Sequence, residues 1–314
     1  MRSVQKILGA GARITDSRAV APLTRPSFAR FKVSAPVAAF VLLITSAAVA
    51  PTPDAMAVAS TPVSANRQAP GRSPGAARPT VVLVHGAWAD TSSWSGEVRA
   101  LQRAGHTVRA VANPLRDLTS DAQTVRDFLR TVSGPVVLVG HSYGGSVITN
   151  AAAGDPDVKA LVYVDAAAPD VGETTGQLSG SGSALGGDPA TLYDRSAYPG
   201  APGKAVDLYL KQHVFVRSFA SDLPRDTADR LWASQRAAST AAFMTPSKAA
   251  AWKTIPSWYF IATGDRIIVP ASQRAMAKRA HSKITEFPGG SHLTLISHPD
   301  AVTSVIEDAI RSVR

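Results

Sequence analysis

From residue 81 onward, short β-branched runs recur at 81–84, 108–111, 136–139, 160–164, 258–261 and 284–287. Helix-like segments at 94–103, 120–132, 146–153, 271–280 and 301–313 lie between or after them. The runs are continuously apolar rather than alternating, so both of their faces must be covered. A chain of this kind folds as α/β, with a mainly parallel sheet flanked by helices. Its 314 residues, 45% of them hydrophobic, suffice for one such domain and its core.

One interval breaks the rhythm. Between Val164 and Trp258 no convincing strand is found. The glycine- and serine-rich tract GQLSGSGSALGGDPA reads as flexible, and helical patterns follow at 206–213 and 227–237. An insertion of this length in an α/β sheet makes a cap beside the ligand crevice, so a mostly helical cap is expected over about 167–253.

The N-terminal part has a different composition. Arg25, Arg30 and Lys32 precede the apolar run PVAAFVLLITSAAVA at 36–50, and small-residue cleavage patterns follow at Ala48-Val49-Ala50 and Ala55-Met56-Ala57. This predicts a signal peptide over residues 1–57, cut near 50 or 57, and a secreted protein. The apolar run is shorter than the ~20 residues a spanning helix needs, so no stable membrane insertion is expected after processing. Residues 58–78 are Pro-, Ser-, Ala- and Gly-rich and bury too little to offset chain entropy, which reads as a disordered linker before a folded domain at 79–314.

Charge follows the same division. The net charge of +10 comes mostly from residues 1–78, with 10 basic and 2 acidic side chains, whereas the rest carries 23 and 21. A near-neutral domain behind a basic leader has no electrostatic footprint for nucleic acid. The chain has no cysteine, which removes thiol nucleophiles, thiolate metal sites and disulfides. Its seven histidines show no H-E-x-x-H or similar spacing, so neither a metal nor a cofactor is expected.

The chemistry concentrates at strand ends. Gly140-His141-Ser142-Tyr143-Gly144 fits G-x-S-x-G after a strand and before a helix, the setting of a nucleophile on a sharp turn. A serine hydroxyl needs a histidine base, and the base needs an acid to fix its tautomer. His292, in GGSHLTLISHP, follows the last predicted strand; His298, just before Pro299, reads as a helix-entry residue. Asp265, in YFIATGDRIIVP, is the expected acid, with Asp165 at the preceding strand end as the alternative. Oxyanion donors are expected from the amides of Tyr143, after the nucleophile, and Ala87, in VLVHGAWAD. Trp88, Trp94, Phe215 and Trp232 are candidates for an apolar acyl pocket, although aromatic residues at such places also serve as simple core.

VLVHGAW, GHSYGG, TGDR and GGSHLTLISHP, in this order, resemble the α/β-hydrolase superfamily over residues 79–314. HGAWADTSSW, QRAAS and WKTIPSWYF are similar to a bacterial esterase-like branch related to plant-type methylesterases and hydroxynitrile lyases. The resemblance implies a triad of Ser142, Asp265 and His292, with Ala87 and Tyr143 as the oxyanion amides. Several departures narrow the reaction. Ser142 stands where dehalogenases and epoxide hydrolases of this fold carry aspartate, and Leu293 where plant-type hydroxynitrile lyases carry lysine. Those lyases also show HTI where this chain has His85-Gly86-Ala87, and perhydrolases show methionine at the place of Tyr143. The expected activity is hydrolysis of small to medium carboxylic esters. A lyase or C–C bond hydrolase, a perhydrolase and a non-catalytic ligand-binding hydrolase fold stand as alternatives.

Overall fold

The structure, a computed structural model, describes residues 78–313. The expected leader, and the linker up to residue 77, lie outside the described residues.

The chain begins with β1 (Thr80–Val84), α1 (Ser95–Arg103), β2 (Val108–Val111), α2 (Leu118–Leu129), β3 (Val136–His141), α3 (Tyr143–Ala151) and β4 (Val158–Val164). It then leaves the sheet for an insertion containing β5 (Tyr193–Ser196), β6 (Asp207–Leu210), α4 (Arg225–Ala233) and β7 (Ala238–Ser239). It returns through β8 (Ser257–Ala262), α5 (Pro270–Arg279), β9 (Lys283–Phe287) and α6 (Pro299–Ser312).

The main sheet has the order β2-β1-β3-β4-β8-β9, and every pair in it is parallel. Burial explains its sequences. The central strands β1, β3 and β8 are buried at every position, whereas β2 and β9 lie at the edges and carry exposed Arg109, Lys283 and Glu286. Helix starts are set locally. Asp117 caps α2 by accepting from the amides of Thr119 and Ser120, and Pro270 and Pro299 open α5 and α6, where a missing N–H costs nothing.

The connection from β1 to β2 runs one way along the sheet and that from β3 to β4 the other. Right-handed crossovers therefore put α1 and α3 on opposite faces. The reversal opens a crevice beyond the carboxyl ends of β1 and β3, where such sheets place their ligands. His85-Gly86-Ala87 and Ser142 leave the sheet at those two ends.

The insertion, spanning 165–256, departs from the sequence expectation in part. It carries more helix than strand, but it also contains a three-stranded antiparallel sheet in the order β5-β6-β7. The segment expected to be helical at 206–213 is strand β6 over Asp207–Leu210 and turns helical only from Gln212. The reason is non-local. Strands of two to four residues give no readable period, and Tyr193-Asp194-Arg195-Ser196 becomes a strand only by pairing with β6. The glycine- and serine-rich tract is not loose either, because Ala184 N donates to Arg266 O at 2.8 Å, Ser183 Oγ to Ile267 O at 2.7 Å and Val269 N to Ser179 O at 3.0 Å. Among the described residues no helix is long and apolar enough to cross a membrane.

The first turn of α3 presses against the end of β1. A Cβ on Gly144 would sit 2.5 Å from Val84 O and 2.9 Å from His85 O, both backbone atoms that cannot swing aside. Gly144→Ala is therefore expected to lower the unfolding free energy by about 2 kcal/mol. Urea titration of both proteins checks this; coincident midpoints would mean that the strand and the helix separate freely at this contact.

Candidate active site

Ser142 stands at the junction of β3 and α3 with φ 54° and ψ −125°, a strained conformation for a residue with a side chain. The turn is over-determined by its bonds. Ser142 N donates to Val164 O at 3.2 Å, and its carbonyl accepts from Gly145 N at 3.0 Å and Ala167 N at 3.1 Å. The side chain is lifted clear of the sheet and is only 5% exposed.

Three strand ends bring the sequence-selected residues together. His292 Nε2 lies 2.7 Å from Ser142 Oγ, and His292 Nδ1 lies 2.8 Å from Asp265 Oδ2. Asp265 Oδ1 also accepts from the amides of Ile267 at 2.7 Å and Ile268 at 3.2 Å, and Oδ2 from Gln273 Nε2 at 2.8 Å. These three partners can only donate, so the carboxyl oxygens act as acceptors. The imidazole then carries its proton on Nδ1 and offers a lone pair on Nε2 to the serine hydroxyl. Burial pushes the His292 imidazole down to about 3, so it rests neutral. Burial also raises Asp265 well above the usual carboxylate range, against the lowering effect of its donors.

Asp165 is placed elsewhere. It follows β4 with φ 45°, and its Oδ1 accepts the Ala262 amide at 2.7 Å at the end of β8. Burial first, and then the neighbouring Asp265 charge, raise its carboxyl well above the usual range. The histidine is bonded to Asp265, while Asp165 ties the ends of β4 and β8 together.

The two residues expected to supply oxyanion amides lie on the turns that meet at Ser142. Tyr143 is the first residue of α3, where an amide has no partner inside the helix. Its hydroxyl donates to Asp121 Oδ2 at 2.7 Å, which fixes the side chain from below. Ala87 is fully buried in the turn after β1. That turn also packs tightly, since a Cβ on Gly86 would lie 2.5 Å from Ser142 Cβ. His85 braces it. Its Nδ1 donates to Gly86 O at 2.9 Å, its Nε2 accepts the Asn113 amide at 3.0 Å, and Asn113 Nδ2 donates back to His85 O at 3.1 Å. Burial holds His85 down at about 4, the neutral form these bonds require.

Four supporting residues escape the motif reading: Asn113, Asp121, His141 and Gln273. His141 sits inside the pentapeptide itself, and its Nε2 donates to His292 O at 2.8 Å, linking the serine turn to the histidine loop across 151 positions. The other three carry no local signal, because each acts through a partner on another element.

Of the aromatic candidates, Trp88 and Phe215 line cavities. Trp88, Leu185, Tyr193, Leu208, Phe243 and Met244 surround a largely apolar cavity of about 220 Å³. On the other side of Trp88 a space of about 30 Å³ is bounded by Phe215, Phe219 and Leu293. Ring contacts run from these walls to the residue after the serine and to the histidine, with Phe243 6.0 Å from Tyr143 and Phe219 5.1 Å from His292. Trp94 is instead core, edge-on to His141, and Trp232 packs within the insertion with its Nε1 on Leu210 O at 3.0 Å. Among the described residues no group of three or more histidines and acids is arranged to hold a metal.

A serine, a neutral imidazole and a buried acid in one hydrogen-bonded line can activate a hydroxyl for attack on a carbonyl. The chain is also similar to known proteins. The chain is 37% identical over 106 residues to a carbendazim hydrolyzing esterase of Nocardioides sp. (strain SG-4G), a match spanning 30% of this chain and 44% of that protein. It is 29% identical over 269 residues to the α/β hydrolase nvfD of Aspergillus novofumigatus (strain IBT 16806), covering 74% of this chain and 96% of the relative. The fold matches the crystal structure of polyneuridine aldehyde esterase with a TM-score of 0.63 at 19% identity, over 74% of this chain and 99% of that one. A model of the alpha/beta hydrolase family matches residues 81–305, and the chain belongs to that family.

Proposed function

We propose that the protein is a serine hydrolase that cleaves small to medium carboxylic esters through an acyl-enzyme on Ser142. The observation that carries this reading is the buried line from Ser142 Oγ through His292 to Asp265, with bonds of 2.7 and 2.8 Å. His292 takes the hydroxyl proton as Ser142 attacks the ester carbonyl, and Asp265 stabilises the imidazolium that forms. The Ala87 and Tyr143 amides stabilise the tetrahedral oxyanion. His292 then returns the proton to the leaving alkoxide, and a water activated by the same histidine releases the acid.

The cavity beside Trp88 receives the apolar part of the ester. At about 220 Å³ it falls below the usual span for drug-sized ligands, which favours short or medium substituents. The esterase among the relatives supports the same reaction class. Export rests on the apolar run at 36–50 and the small-residue sites after it, and mass spectrometry of the N-terminus in the culture medium tests it.

A chromogenic ester panel with a fluorophosphonate label tests the reaction. Wild type should hydrolyse short acyl esters and take the label on Ser142, while Ser142→Ala should do neither. An unlabelled Ser142 and no turnover of any ester would defeat the reading. Asp265→Asn should lower kcat by about 10⁴, and Asp165→Asn by far less, because only Asp265 is bonded to the imidazole. The reverse ranking would hand the acid's role to Asp165.

The pH profile follows from burial. A base works when unprotonated, and an imidazole held near 3 rather than 6.5 stays unprotonated as the solution is acidified. kcat/KM is therefore expected to stay level from pH 7 down to about pH 5 in the folded enzyme. An acid limb centred near 6.5 would show that His292 titrates as a solvated imidazole.

A further inference from the structure

The insertion also reaches the histidine loop, through an aspartate that no motif marks. Asp222 follows the π-helical turn Phe219 closes, and its side chain is 20% exposed. Ser291 Oγ donates to its Oδ1 at 2.5 Å and Ser297 Oγ to its Oδ2 at 2.6 Å. His298 Nε2 lies 3.7 Å from the same Oδ2. All three groups belong to the short segment that carries His292.

The bond to Ser291 bears most directly on His292, its neighbour in sequence. Ser291 Oγ also accepts the Leu293 amide at 3.2 Å, and Thr294 Oγ1 donates to Ser291 O at 2.6 Å, so one serine staples the backbone on both sides of His292. The loop needs such staples. It enters through Gly289 and Gly290 at φ 74° and 72°, two residues with little conformational stiffness of their own. Three residues before Asp222, the fully buried Phe219 lays its ring 5.1 Å from the His292 ring. The same stretch of the insertion thus touches the imidazole face and grips the backbone that presents it.

We infer that Asp222 is a positioning residue of the hydrolase: the insertion uses its carboxylate, through Ser291 and Ser297, to hold the His292 loop where Nε2 meets Ser142 Oγ. It touches neither the reacting atoms nor the imidazole nitrogens. Its bonds are hydroxyl-to-carboxylate bonds of 2.5 and 2.6 Å, the short range expected when the acceptor is charged. An asparagine in its place offers one oxygen and one amino group, so it can accept from only one of the two serines.

This inference rests on the proposed hydrolase reading, and its test separates the two. Asp222→Ala should lower kcat about 10- to 100-fold, the scale of a small misplacement of reacting groups, with KM within about twofold. Asp222→Asn should fall between wild type and Asp222→Ala. Asp229→Ala, which breaks an exposed pair with Arg225 on α4, should match wild type. The His292 Nδ1 proton resonance gives a readout independent of turnover; it should shift or broaden in Asp222→Ala and stay unchanged in Asp229→Ala. Wild-type kcat together with an unaltered resonance in Asp222→Ala would overturn the assignment, as would a loss borne by KM alone. If Asp222→Ala fails to fold, Asp222→Asn and Ser297→Ala carry the same comparison. A wild type that turns over no ester would defeat the hydrolase reading, while the resonance would still decide whether Asp222 positions the loop.

Discussion

The close approach of the β3–α3 turn to the exit of β1 is the constraint on which the site depends. Side chains are absent at Gly86 and Gly144 because backbone or Ser142 Cβ already occupies the space at 2.5 Å. That contact sets the turn carrying Ala87 against the turn carrying Ser142 and Tyr143. A sheet whose strand order did not reverse between β1 and β3 would carry these residues on separate crevices. The strained backbone of Ser142 is held by the three bonds its peptide groups make to Val164, Gly145 and Ala167.

Burial then sets the electrostatics. Ser142, His292 and Asp265 are all nearly inaccessible, so charge on any of them is disfavoured until a partner appears. His292 is kept neutral, the form a base requires, while Asp265 is surrounded by donors that cannot rotate away: two backbone amides and an amide side chain that also donates to Ile268 O at 2.7 Å. The positive ends of these fixed dipoles face the carboxylate and hold its negative charge beside His292 Nδ1 without reorganising. In a site closed to water that arrangement stabilises charge far more than the same groups would in solvent.

Much of this was legible in the sequence, and the limits have a physical reason. The six main strands announce themselves as short β-branched runs, three of them buried at every position, and the serine, acid and histidine stand at strand ends with glycines or turn residues beside them. The strands of the insertion are silent. β5 has polar residues at three of its four positions and β7 has two residues, so their structure comes from pairing, which no local pattern encodes. The supporting residues are silent for the same reason. Asn113, Gln273 and Asp222 are ordinary polar residues until the fold places them against His85, Asp265 and Ser291. His141 shows the intermediate case, a residue within a readable motif whose own partner, the His292 carbonyl, is 151 positions away.

The insertion meets the proposed machinery at more than one point, and this bears on how it can move. Trp88, next to Ala87 and itself at φ 57°, donates from its indole to Leu208 O at 2.9 Å. Arg236 Nη1 donates to Asn113 O at 3.1 Å, beside the bonds that brace His85. Asp222 grips the histidine loop from the other side. A rigid swing of the insertion away from the sheet would break all of these bonds together and strip the packed rings of Tyr193, Phe219 and Phe243 from Trp88, at a cost of several kcal/mol. Smaller rearrangements of side chains around the cavity, such as the exposed Met244 at its edge, break none of them. The geometry therefore lets the cavity wall yield while the turn after β1 and the histidine loop stay in register.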